Sequence, residues 1–150
     1  MDLPLVELSV LVKNLVSIAV AFLLALPLGW EREQSERSAG LRTFPLVAMA
    51  SCGYILIAEG VLAGHPEGTA RVVEGLMTGM GFIGGGAILK SEGTVRGTAT
   101  AASLWNTGAI GAAVAFDRFE IAVLLTIVNY ATLRWLARFK DTQADPPGAS

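Results

Sequence analysis

The chain alternates between long uncharged stretches and short charged ones. Five uncharged blocks cover residues 14–30, 43–58, 75–89, 97–116 and 121–133. Crossing the hydrocarbon core of a bilayer takes roughly 20 apolar residues, so the shorter blocks must recruit flanking residues. The pattern predicts five transmembrane helices, over residues 8–30, 44–64, 72–89, 99–116 and 119–136.

Composition supports the same class of protein. Hydrophobic residues make up 53% of the chain, charged residues 16%, and the mean hydropathy is +0.56. Too few polar residues remain to cover a surface that faces water. We therefore expect an all-α, polytopic integral membrane protein whose solvent is the lipid bilayer.

Basic residues are distributed unevenly between the two sides of the predicted membrane domain. One side holds Arg32, Arg37, Arg42, Lys90, Arg96, Arg134, Arg138 and Lys140, and the other holds Lys13, Arg71 and Arg118. Lysine and arginine accumulate in cytoplasmic loops. The distribution predicts an N-terminus outside and a C-terminus inside.

The two ends of the chain differ in character. Asp2 and Glu7 precede the first apolar run and no A-x-A site follows it, which favours an uncleaved span over a removed secretory signal. Residues 141–150 are polar and contain two prolines, which predicts a disordered tail. The expected division is a transmembrane domain over 1–140 and a tail over 141–150.

Several function classes are disfavoured by the residues present. The net charge is −2 and the basic residues form no patch, so nucleic acid is not an expected partner. Cys52 is the only cysteine, which excludes an intramolecular disulfide, and His65 stands alone in a loop. Since no serine has a partnered base, we expect neither an enzyme nor a cofactor, apart from Mg²⁺ as a ligand or transported ion.

The stretch GMGFIGGGAILK, residues 79–90, contains the G-x-G-x-x-G spacing of a dinucleotide-binding turn. That site requires a strand before the glycines, a helix after them and an acidic residue about 20 positions later. Glu92 comes too early and Asp117 too late, and no helix of useful length follows. The context therefore contradicts a nucleotide site.

Helix packing in lipid is the alternative use of these glycines, because small residues let two backbones approach closely. The spacing G-x-x-x-G occurs twice, and the small residues of the fourth span offer a packing partner. The candidate packing residues are Gly75, Gly79, Gly81, Gly84, Gly85 and Gly86. Two readings stay open: tight packing alone, or space for an ion and its water.

Polar side chains within apolar spans are the candidates for ion binding or coupling. Glu74 binds a cation or relays a proton in one reading, and reaches headgroups or pairs with Arg71 in the other. Asn106 offers an amide for bonding between helices or a carbonyl oxygen for a hard cation. Glu31 and Arg32 follow the first span and Arg42 precedes the second, which predicts an interfacial ion pair.

Two segments resemble a known family. GWEREQSERSAGLRTFPLV, residues 29–47, resembles the first sequence block of the MgtC/SapB family of bacterial inner-membrane proteins, and residues 71–113 resemble its second block, with GMGFIGGG and VRGTATAA at its centre. The positions that match are Glu31, Arg32, Glu33, Arg42, Thr43, Arg71, Gly79, Gly81, Phe82, Gly84, Gly86, Gly97, Thr100, Leu104 and Trp105. Phe44, Glu74 and Asn106 depart from residues common in the family, so no role is carried over to them.

The resemblance implies a multi-pass protein of the bacterial inner membrane that is linked to Mg²⁺ homeostasis. The chain looks like the short SapB-type branch, without the soluble C-terminal domain of the MgtC branch. Two functions follow as hypotheses: a transporter-like role, or regulation by docking another membrane protein such as ATP synthase. A purely structural helper is a third, and we expect a homo-oligomer in each case.

Overall fold

The computed structural model describes residues 8–34, 39–91 and 94–136 as a bundle of five α-helices and a small β-hairpin. The helices are α1 (Leu8–Gln34), α2 (Thr43–Val61), α3 (Pro66–Gly86), α4 (Thr98–Ala115) and α5 (Phe119–Ala131). The hairpin strands are β1 (Leu89–Ser91) and β2 (Thr94–Arg96), which pair antiparallel between α3 and α4. A π-helical turn, Thr132–Leu136, continues α5.

The helices agree with the five predicted spans, but several ends differ. The first helix continues four residues past the predicted end, and α2 ends three residues early, before a turn in which Gly64 has a φ of +84°. α3 begins at Pro66, because a proline suits the first position of a helix where no N–H partner is required. It ends at Gly86 and not at residue 89, since β1 follows.

The fold is helical as predicted, and the small β-hairpin is the one described element that was not predicted. Leu89 pairs with Arg96 and Ser91 with Thr94, so the charged loop after the glycine stretch is folded back on itself. Gly97 then links β2 to α4 with a φ of +89°. The predicted tail, residues 141–150, lies outside the described residues.

α4 lies at the centre of the bundle and contacts each of the other four helices. Its buried side chains include Leu104, Ile110 and Val114. Gly111 allows the closest approach, because a methyl group there would collide with the Ala48 carbonyl of α2. The closest small-residue contact of α4 is therefore made with α2 and not with the glycine helix α3.

The outer surface of the bundle is apolar. Large hydrophobic side chains point away from the core on every helix, among them Leu15, Leu23, Ile57, Phe82 and Ile127. A surface of this kind requires an apolar surrounding, which lipid provides. Two of the described helices, α1 and α2, are individually long and apolar enough to cross a membrane.

Charged side chains gather at the two ends of the bundle. At one end Lys13 Nζ lies 2.8 Å from Asp117 Oδ2, and Arg118 Nε donates to Glu120 Oε1 at 2.6 Å. At the other end Arg134 Nη1 donates to Glu31 Oε2 at 3.2 Å. The first helix is thus tied to the last part of the described chain at both of its ends.

Candidate functional site

The first sequence block folds into a tight connection between α1 and α2. Glu33 Oε2 accepts a hydrogen bond from the Leu41 backbone N–H at 3.1 Å, and the Thr43 N–H donates to the Gly40 carbonyl at 3.0 Å. Gly29 makes room for this connection, since a methyl group there would lie 3.0 Å from Leu41 Cα. These residues position the start of α2, which is a structural task.

Glu31 and Arg32 are buried and both contact the segment that follows α5. Glu31 bonds Arg134, and Arg32 Nη2 donates to the Leu133 carbonyl at 3.4 Å. The described ion pair of Glu31 is the one with Arg134, and the predicted pair with Arg42 is not among the described pairs; the Arg42 side chain at the start of α2 is exposed. Arg134 was missed, although its charge and its place at the end of the fifth span were visible in the sequence.

The glycine stretch is helical, but most of it is unpacked. Gly84 packs against α4, where a methyl group would lie 3.3 Å from the Ala101 carbonyl oxygen. Met80 and Gly84 are the buried residues of α3. Among the described residues, nothing outside the neighbouring backbone of α3 lies within 4 Å of the Cβ position at the remaining five candidate glycines, which are Gly75, Gly79, Gly81, Gly85 and Gly86.

These open glycines occupy two sides of α3. A helix turns by about 100° per residue, so Gly81 and Gly85 lie on a side roughly 120° from Gly75 and Gly79. Gly75 and Gly79 line a groove between α2 and α3 with a volume of about 700 Å³. Gly81 and Gly85 belong to the outer side of α3, which also carries Thr78.

Glu74 lies on that outer side and is exposed. Its backbone carbonyl accepts a hydrogen bond from the Thr78 hydroxyl at 2.9 Å, while its carboxylate forms no ion pair with Arg71 or any other described residue. Glu74 is thus available to an external group and does not line the interior of the bundle.

Uncharged polar groups connect α4 and α5. Asn106 Nδ2 donates to the Leu125 carbonyl at 3.4 Å, and Asn129 Nδ2 donates to the Ser103 carbonyl at 3.4 Å. In the structure Asn106 thus bonds from α4 to α5, which is the first of its two interpretations from the sequence. The Ser103 hydroxyl is buried and has no partner among the described residues, and the Ser51 hydroxyl of α2 is in the same state.

The ion-binding candidates are not brought together. Glu31 and Arg32 lie at one end of the bundle, Asn106 lies between α4 and α5, and Glu74 lies on the outer side of α3. Within residues 8–34, 39–91 and 94–136, no three His, Cys, Asp or Glu side chains are grouped as a metal site would require.

Comparison with known proteins identifies the family to which the chain belongs. The model of the MgtC family matches residues 18–142. An uncharacterised protein of Synechocystis is 37% identical over 87% of this chain and 56% of its own length. Proteins named MgtC are similar as well: that of Brucella abortus is 36% identical over 88% of this chain and 56% of its own length, and that of Salmonella typhimurium is 34% identical over 76% and 48%.

The chain spans about half the length of the curated relatives it matches. No solved structure shows a significant match. Because the family model covers most of the sequence, including both sequence blocks and the helices that carry them, the chain belongs to the MgtC family and is a membrane protein of the MgtC type.

Proposed function

We propose that this protein is a five-span protein of the bacterial inner membrane that serves Mg²⁺ homeostasis by binding a transmembrane helix of another membrane protein. The link to Mg²⁺ rests on the resemblance of both sequence blocks to the MgtC/SapB family. In this proposal the protein is not an enzyme, needs no cofactor and encounters Mg²⁺ only as a ligand.

The observation that carries the docking role is the unpacked outer side of α3. Neither Gly81 nor Gly85 has another described segment within 4 Å of its Cβ position, and Phe82 of the same helix is 87% exposed. Lipid tails are as apolar as the side chains of a transmembrane helix, so helices associate in membranes through close packing at small residues. A G-x-x-x-G pair facing lipid is a surface of that kind.

Glu74 adds a polar contact on the same side of α3. Its carboxylate is free of described partners, and a charge in the apolar part of a bilayer is costly unless it is paired. A partner helix with a basic or hydrogen-bonding side chain at the matching depth would pair it. The preferred partner is therefore a helix with small residues and one such polar group.

Crosslinking in native membranes tests the docking role. Cys52→Ala removes the only cysteine, and Thr78→Cys then places one thiol beside Gly81 for a photoactivatable crosslinker. We expect a crosslink to a different membrane protein that disappears with Gly81→Leu and persists with Gly60→Leu, an α2 glycine whose surroundings are also open. Crosslinks to other copies of this chain alone would contradict docking and show a homo-oligomer.

Direct cation transfer is the second candidate. It is favoured by the buried polar groups of α4 and α5, where the Ser103 hydroxyl has no described partner and Asn106 presents an amide. Mg²⁺ flux into liposomes that contain the purified protein, abolished by Asn106→Ala or Glu74→Gln, would establish transport. Without such flux, and without stabilisation by Mg²⁺, the transporter hypothesis is dropped.

A further inference from the structure

The groove between α2 and α3 is separate from the outer side of α3 and needs its own explanation. It extends on α2 from Arg42 past Ser51 to Tyr54, and Gly75 and Gly79 form part of its opposite wall. Most of the remaining lining is aliphatic, with Leu46 and Leu76 as examples. The groove is therefore an apolar channel with a cationic side chain at one end.

Its length matches one leaflet of a bilayer. Arg42 and Tyr54 are twelve positions apart on α2, which corresponds to about 18 Å at the helical rise. Half of the hydrocarbon core is about 15 Å deep. An acyl chain that enters the groove at its Arg42 end would therefore run along it to the middle of the membrane.

The charge at the Arg42 end selects the headgroup. Arg42 is exposed and forms no ion pair with any described residue. A guanidinium donates two parallel hydrogen bonds to a phosphate, and the positive end of the α2 dipole lies at the same place. In the topology proposed above, this end faces the cytoplasmic leaflet, where the anionic lipids attract basic residues near the surface.

We propose that the α2–α3 groove binds an anionic phospholipid, with an acyl chain along Gly75 and Gly79 and the headgroup phosphate on Arg42. The absent side chains of both glycines leave space for the acyl chain, since no described residue outside the neighbouring backbone of α3 lies within 4 Å of either Cβ position. The lipid fills the space between α2 and α3 without obstructing Gly81 and Gly85. The site does not depend on the docking role proposed for the other side of α3.

Native mass spectrometry of the purified full chain in detergent tests the site, with palmitoyl-oleoyl phosphatidylglycerol and the matching phosphatidylcholine as probes. The wild type is expected to prefer phosphatidylglycerol by about tenfold, the scale of a charge-assisted hydrogen bond. Arg42→Gln should abolish that preference. Gly79→Leu, which fills the groove, should lower the binding of both lipids, and Ala50→Phe should do so from the opposite wall.

Two control variants test whether the loss of lipid binding is specific to the groove. Gly60→Leu adds the same side chain on α2 beyond the groove, and Arg71→Gln removes an exposed arginine from the other end of α3. Both variants should bind lipid as the wild type does. Gly81→Leu should also bind lipid normally, so the lipid site is tested independently of the docking role. An unchanged lipid preference in Arg42→Gln overturns the proposal, and so does a change of oligomeric state in Gly79→Leu with lipid binding intact.

Discussion

At the residue scale, Gly97 combines a positive φ of 89° with close approach to another segment. A methyl group there would collide with the Ala87 carbonyl and lie 3.4 Å from Ile88 Cα. Both constraints arise because the chain leaves α3, forms the hairpin and must return at once to start α4. Glycine is the residue that accepts this conformation without strain.

We expect Gly97→Ala to lower the free energy of unfolding by about 1–3 kcal/mol, because a side chain at positive φ is strained and the Ala87 carbonyl must move. The measurement is denaturant or thermal unfolding in detergent micelles. Gly53→Ala is the matched control, since this α2 glycine has open surroundings and an ordinary φ. It should be neutral or stabilising by up to about 1 kcal/mol. Equal losses in both variants would contradict this account.

At the element scale, ion pairs hold α1 against the other end of the described chain. The Glu31 side chain is 9% exposed and its partner Arg134 is 42% exposed, whereas Lys13 and Asp117 are each 54% exposed. Losing a hydrogen bond to a buried charge such as Glu31 costs more than losing one to a hydrated charge. The two ends of α1 should therefore respond differently to the same kind of substitution.

Arg134→Gln is expected to cost about 1–3 kcal/mol of stability, the range for loss of a hydrogen bond to a charged group. Lys13→Gln should cost clearly less, since exposed ion pairs contribute little to stability. A double-mutant cycle with Glu31→Gln measures the coupling energy, read from unfolding in detergent. If Arg134→Gln and Lys13→Gln prove equally mild, the Glu31–Arg134 pair does not hold α1 against the turn that follows α5.

At the scale of the whole molecule, the arrangement of helices supports the proposed topology. Lys13, Asp117 and Arg118 lie at one end of the bundle, and Glu31 and Arg134 lie at the other. This is the separation that five alternating spans require. The excess of basic residues at the second end is the reason why we propose that this end faces the cytoplasm.

Thiol labelling in intact cells tests the orientation. In the Cys52→Ala background, Ala63→Cys in the turn after α2 should react with a maleimide that does not cross membranes. Val95→Cys in β2 is exposed as well, but it should react only after the cells are opened. Labelling of Val95→Cys in intact cells, or protection of Ala63→Cys, would contradict an outside N-terminus.

Local properties of the sequence were enough to predict where the helices lie. Runs of apolar residues and glycines that could not form a nucleotide turn each depend on near neighbours. The start of α3 at Pro66, six residues before the predicted start, was not recognised. The hairpin between α3 and α4 was not anticipated, because its strands are three residues long and carry no alternating pattern. The bond of Asn106 between helices was among the sequence interpretations, since an amide within an apolar span needs a partner.

The sequence by itself determined that the protein is apolar and helical and that it carries the two sequence blocks of its family. Composition and motif spacing can be read from the sequence without knowing which helices meet. Only the tertiary structure decided that Glu31 pairs with Arg134, that Gly111 makes the close contact with α2, and that Gly75, Gly79, Gly81 and Gly85 remain open. These outcomes depend on which faces of distant helices meet. A glycine makes close packing available, and the neighbouring helix decides whether that space is filled.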